Sequence, residues 1–150
     1  MKKSHLRLKS YFEEMRRHCE HMIEAKEVLP LQISDYDSLS QLERFALNTL
    51  IFRFSKLQDL LGSKVFRTYL DSIGFVVEEA SFFEILKEIE KEGIVDIDTW
   101  SFLRELRNEI AHDYPEEFDE MVEKINLFLQ KSDLLVEVAR KVEERYRETQ

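Results

Sequence analysis

Residues Leu8 to Met22, LKSYFEEMRRHCEHM, give the clearest indication of the fold. The apolar residues of this stretch recur at steps of four, three, four and three, and they are Leu8, Phe12, Met15, Cys19 and Met22. This spacing places all five side chains on one stripe of an α-helix. The stretch therefore predicts a long amphipathic helix whose apolar face needs other helices to cover it.

Helical spacing continues between a few helix breakers. The chain has three glycines and two prolines, namely Pro30, Gly62, Gly74, Gly93 and Pro115. No Asn-Gly or Asp-Gly hairpin turn occurs, and no long run of β-branched residues alternates with polar ones. We therefore predict an all-α, antiparallel helical bundle of four to five long helices. It forms one domain over 1–150, in which the charged end, 140–150, frays.

Capping signals give approximate helix boundaries. Ser38 is the expected N-cap of the second long helix, with Gln41 at the capping-box position. This helix is predicted to end near Leu61, with Gly62 as its C-terminal cap. Asp98 is the expected N-cap of the helix that carries Trp100. Each connection between helices is then short.

Charge, hydrophobicity and cysteine content limit the classes of protein to which this chain can belong. With 22 Lys and Arg against 31 Asp and Glu, the net charge is −9, which disfavours a protein that coats nucleic acid broadly. The apolar runs are too short to span a bilayer, so we expect no membrane partner. The single cysteine, Cys19, has no partner for an internal disulfide. A reducing, cytoplasmic location is the prediction that fits it.

The segment with the most distinctive chemistry is Leu106 to Pro115, which reads LRNEIAHDYP. On an ideal helix Arg107 falls within an apolar face, where a guanidinium is costly unless it is paired or lines a polar cleft. His112 lies about 140° away from Arg107. The two converge only if the helix loosens before Pro115 or if two copies of the segment meet in a dimer.

An arginine and a histidine together suit phosphodiester chemistry. Arg107 can hold a phosphate through two parallel hydrogen bonds and stabilise the charge that develops on it. His112 can move protons near neutral pH. RNA supplies its own nucleophile, the 2′-hydroxyl, so cleavage of this kind needs no metal or other cofactor.

At these residues the chain resembles a known family. Arg107, four intervening residues, His112, one residue and Tyr114 match the R-x4-H-x-Y signature of HEPN proteins, and the polar Asn108 after the arginine also fits. The match is closest to the HepT-like group, which is encoded beside minimal nucleotidyltransferases. The resemblance covers about ten residues in detail.

The resemblance implies a function. HepT-like proteins are homodimeric, metal-independent endoribonuclease toxins whose two motifs face each other in a cleft. By this resemblance Arg107 and His112 are catalytic, and Asn108 orients the histidine or the phosphate. The partner nucleotidyltransferase acts as the antitoxin by transferring AMP to the motif tyrosine, here Tyr114.

Other interpretations remain open. The related branch of the family consists of nucleotidyltransferase-associated adaptor subunits that bind substrate without cleaving RNA. In a plain dimerising bundle the motif is incidental, and Arg107 pairs with Glu109 or Asp113 on the helix surface. Arg104 lies about 60° from Arg107 on the helix and is a weak candidate for substrate binding.

One further cluster suggests a metal site. His18 and His21 share a helix face, but they fall short of the three or four converging ligands that zinc requires. Cys19 is better explained as part of the apolar stripe. We therefore predict no metal site.

Overall fold

The computed structural model describes residues 2–111 and 118–150, and every element in these two ranges is helical. The chain order gives seven α-helices: α1 Lys2–Val28, α2 Gln41–Leu60, α3 Phe66–Ser72, α4 Phe82–Lys91, α5 Ile97–Ala111, α6 Phe118–Lys131 and α7 Asp133–Glu148. A single 3-10 turn, Tyr36–Ser38, precedes α2, and a π-helical turn, Leu61–Val65, joins α2 to α3. The predicted all-α bundle is confirmed. No described helix is long and apolar enough to cross a membrane.

The α1 helix packs antiparallel to the α2–α3 stretch along most of its length. His18 contacts Arg53, and Lys64 lies over the ring of Tyr11. Near the start of α1, Ser4 hydrogen-bonds to Asp71. Residues nearer the start of α1 therefore contact residues later in the α2–α3 stretch, which is the pattern of an antiparallel pair. All five apolar residues of the Leu8–Met22 stripe are buried, as predicted.

The second long helix starts two residues later than predicted. Ser40, and not Ser38, is the N-cap: its Oγ accepts a hydrogen bond from the backbone N–H of Glu43 at 3.1 Å. The Glu43 carboxylate in turn accepts from the N–H of Ser40 at 2.8 Å, which completes a capping box. Ser38 instead belongs to the preceding 3-10 turn.

Gly62 does not end this helix, contrary to the prediction. The chain stays helical through the π turn and on to Ser72. A Cβ at position 62 would lie 3.1 Å from Cζ2 of Trp100, so the glycine allows α5 to approach closely. The glycines with positive φ are Gly74 and Gly93, which follow α3 and α4.

The α5 helix begins earlier than predicted, at Ile97. Asp96, and not Asp98, accepts a hydrogen bond from the N–H of Thr99 at 2.8 Å in the manner of an N-cap. Trp100, Leu103 and Leu106 form its buried face. Arg107 lies at the edge of this face rather than inside it.

The C-terminal end differs from the expected frayed tail. The α7 helix continues to Glu148, and Val142 is fully buried in the core. The ring of Tyr146 packs on Phe12 with a centroid separation of 5.4 Å. The charged residues of this segment occupy the outer face of a helix whose apolar face is covered by α1.

Candidate functional site

Arg107 is held by a residue that is distant in the sequence. Its Nη1 lies 3.1 Å from Oδ1 of Asp59, and its Nη2 donates to Oδ2 at 3.3 Å. Asp59 is in the last turn of α2, so this two-pronged contact joins α2 to α5. The side chains of Arg107 and Asp59 are 32% and 54% exposed. The pair is therefore open to solvent, and a ligand can reach the guanidinium.

The pair lies in a groove of about 590 Å³ between α2 and α5. The α2 side supplies Gln58 and Asp59, with Gly62 in the following turn, and the α5 side supplies Trp100, Arg104 and Arg107. Phe82, at the start of α4, lines the same groove. The groove thus combines two arginines with aromatic walls.

Two residues beneath the groove are polar and almost fully buried. Gln58 is 4% exposed and Trp100 is 3% exposed. Neither amide atom of Gln58, nor the indole Nε1 of Trp100, has a hydrogen-bond partner among the described residues. Leaving such a group unsatisfied costs about 1–3 kcal/mol, so a native fold keeps it for a reason.

The predicted site residues fall into three groups. Arg104 and Arg107 lie one turn apart on α5 and line the groove together. Asn108 is exposed and is not among the residues that line the groove. His112 and Tyr114 lie outside the described residues, so the convergence of Arg107 with His112 stays a prediction.

Sequence reasoning missed three residues of this groove. It did not connect Asp59 with Arg107, because 48 residues separate them. It placed Trp100 on this helix but did not assign it to the site. It also overlooked Gln58, although a signal was present: Gln58 lies four residues after the buried Phe54 and three before the buried Leu61. A glutamine at such a position indicates a polar group in the core.

The histidine cluster of α1 has a structural explanation. His18 is buried, and Arg53 Nη1 donates to its Nδ1 at 3.2 Å. Burial and the nearby Arg53 charge both lower the pKa of His18, which favours the neutral ring. Nδ1 of His21 instead lies 3.8 Å from Oε2 of Glu24. In the part of the chain that the structure describes, no three His, Cys, Asp or Glu residues are grouped to hold a metal ion.

Comparisons with known proteins add no relative. Neither the models of protein families, nor the curated proteins, nor the solved structures contain a match to this chain. The motif at Arg107 and the chemistry of the groove are therefore the features that indicate a function.

Proposed function

We propose that this protein is a metal-independent endoribonuclease toxin of the HepT-like HEPN type, which acts as a homodimer. The observation that carries the proposal is the presence of Arg107, the arginine of the R-x4-H-x-Y motif, in an open groove beside a second arginine. Two guanidinium groups one helical turn apart suit a phosphate of an RNA chain.

The proposed reaction uses the RNA as its own nucleophile. His112 removes the proton of a 2′-hydroxyl, whose oxygen attacks the adjacent phosphorus. The bond to the 5′-oxygen breaks, and that oxygen takes up a proton. The products are a 2′,3′-cyclic phosphate and a free 5′-hydroxyl. Arg107 binds the non-bridging oxygens and stabilises the charge that develops on them, and Asn108 orients the histidine or the phosphate.

The outer face of α2 supports the dimer. Leu42, Phe45 and Phe52 are 64%, 57% and 47% exposed, and on an ideal helix they fall within about 80° of one another. Large apolar residues clustered on a surface indicate an interaction site. Asp59 continues this face two turns beyond Phe52. A second copy that packs on this face with the Asp59 ends of the two α2 helices adjacent brings the two grooves together.

Regulation by a partner is part of the proposal. A minimal nucleotidyltransferase is the antitoxin and transfers AMP to the hydroxyl of Tyr114. The added adenylate carries a negative charge and bulk two residues from His112. Both oppose the binding of an RNA phosphate at the motif.

One observation favours a second candidate, the nucleotidyltransferase-associated adaptor without cleavage of its own. Asp59 already occupies two donors of Arg107 and neutralises its charge. The net charge of −9 adds long-range repulsion of RNA. An adaptor requires only that the groove present a nucleotide to the partner.

The decisive experiment is cleavage of total cellular RNA and tRNA by the purified, unmodified protein in EDTA. We expect cleavage by the wild type and losses of about 100-fold or more in Arg107→Ala and His112→Ala. Arg17→Ala is the matched control, because Arg17 is an exposed arginine on α1. Absence of cleavage by a folded dimer would reject the nuclease and favour the adaptor.

A further inference from the structure

The unpartnered polar atoms beneath the groove are the starting point. Gln58 contributes an amide nitrogen and oxygen, and Trp100 contributes an indole nitrogen. All three are shielded from solvent and lack a hydrogen-bond partner among the described residues. No described residue satisfies them, and a polar ligand that enters the groove supplies the hydrogen bonds that they lack.

The surroundings indicate the kind of ligand. Phe82 provides an aromatic surface, and Arg104 and Arg107 provide cations. Unpaired bases of RNA stack on aromatic side chains, and their phosphates pair with arginines. A volume of about 590 Å³ is within the range of small-molecule sites and accommodates a nucleotide.

The hydrogen-bonding groups of the floor discriminate among bases. The amide of Gln58 offers an acceptor oxygen and a donor nitrogen that carries two hydrogens, and the indole of Trp100 offers a second donor nitrogen. We count one contact for each of these three atoms. The complementary ligand edge has two acceptors and one donor. Uracil meets this count with O2, O4 and N3–H, and cytosine meets it with O2, N3 and its amino group. The Watson–Crick edge of guanine has one acceptor and two donors, and that of adenine has one acceptor and one donor.

We propose that the floor of the groove is a recognition pocket for a pyrimidine base, read by Gln58 and Trp100, with the phosphate of that nucleotide on Arg104 and Arg107. The proposal rests on the proposed function, since it assigns the base that accompanies the bound RNA phosphate. Because Gln58 and Trp100 are nearly fully covered, entry of the base requires side chains at the rim to move. The exposed side chain of Arg104 turns onto the phosphate in this step.

The test uses the only tryptophan of the chain, Trp100, as a fluorescent reporter inside the pocket. The full-length protein is titrated with UMP, CMP, AMP, GMP, ribose 5-phosphate and inorganic phosphate. We expect UMP or CMP to bind about tenfold more tightly than GMP and than ribose 5-phosphate, the size of a good base contact. Equal binding of all four nucleotides, or no binding, would overturn the proposal.

The Gln58→Met variant separates recognition from folding. Methionine is close in volume and removes the unsatisfied amide, so we expect the melting temperature to stay equal or rise while the preference for pyrimidines falls below about threefold. Gln130→Met, at an exposed position on α6, is the matched control and keeps the preference. A Gln58→Met protein with unchanged discrimination contradicts the inference. If this variant does not fold, Trp100→Phe is measured by calorimetry and must lose the preference.

RNA cleavage gives a separate readout. Cleavage without a pyrimidine at the preferred sites would overturn the pocket and leave the nuclease intact. Selective binding of UMP or CMP by a protein that does not cleave RNA would support the pocket and reject the nuclease.

Discussion

Asp59 and Arg107 connect the end of α2 to the C-terminal half of α5 through two nitrogen–oxygen contacts, of 3.1 and 3.3 Å. The parallel arrangement uses the same donors that a phosphate would take. Asp59 therefore fixes the direction of the guanidinium and at the same time competes with an anionic ligand. An exposed pair of this kind contributes about 0–1 kcal/mol to stability, so the contact matters more for the groove than for the fold.

The competition predicts the effect of Asp59→Asn. Removal of one negative charge beside Arg107 should tighten RNA binding by about threefold, with a change of less than about 1 kcal/mol in the free energy of unfolding. Binding is measured with labelled RNA on the catalytically blocked His112→Ala background. Glu105→Gln removes an equal charge from an exposed position of α5 and serves as the control. Weaker binding by Asp59→Asn would mean that orientation outweighs competition.

The exposed apolar face of α2 predicts that a charged side chain placed on it will disrupt the dimer. A glutamate at position 45 would place a charge in the centre of the proposed dimer interface, where burial is costly. Phe45→Glu should therefore give a folded monomer in sedimentation experiments and should lower RNA cleavage with it. Phe83→Glu changes an equally exposed phenylalanine on α4 and should leave the dimer intact. A Phe45→Glu protein that remains dimeric would exclude this face as the interface.

The contact between Gly62 and Trp100 predicts a cost for Gly62→Ala. Alanine gains about 1 kcal/mol over glycine in helix propensity, but its Cβ would crowd a rigid indole at 3.1 Å. We expect the crowding to prevail and the melting temperature to fall by about 2–4 °C. Ser101→Ala on the exposed side of α5 gives the propensity effect alone. A higher melting temperature for Gly62→Ala would show that α5 can shift without loss.

Burial of Cys19 predicts a loss of stability at high pH. Burial raises the pKa of its thiol to about 11, above the ordinary value of 9.0. The folded state therefore retains the proton longer than the unfolded state. The protonated thiol of Cys19 makes its full contribution to the free energy of unfolding below pH 9.0. This contribution, on the order of 2–3 kcal/mol, is lost as pH rises toward about 11.

The measurement is a series of urea denaturations between pH 8 and 11 on the wild type and on Cys19→Ala. The difference between the two proteins isolates the thiol from other groups that affect stability in this range, such as Tyr69, whose pKa burial also raises. We expect the difference in the free energy of unfolding to shrink as pH rises. A difference that stays constant with pH would contradict a buried, protonated thiol.

Several parts of the fold follow from local patterns. The stripe from Leu8 to Met22 predicted a buried helix face, and all five residues are buried. Pro30, Gly74 and Gly93, which the sequence marks as helix breakers, each lie between helices of the structure. Helical periodicity is a property of neighbouring residues, so it is readable without knowledge of the partner helices. The capping positions were displaced by two residues, because several Ser and Asp residues near each helix start can serve as caps.

Some features of the candidate site can be read from the sequence, and others appear only in the folded chain. The order of residues alone shows the pattern R-x4-H-x-Y at Arg107, His112 and Tyr114, with Asn108 after the arginine, and shows that Arg104 lies one turn from Arg107. The pairing of Asp59 with Arg107 and the close approach of Trp100 to Gly62 are visible only in the folded chain. The same holds for Gln58, which lies beneath the groove without a hydrogen-bond partner among the described residues. These relationships join α2 to α5. They depend on how two helix surfaces pack, and the spacing of residues along one helix carries no record of the surface that it meets.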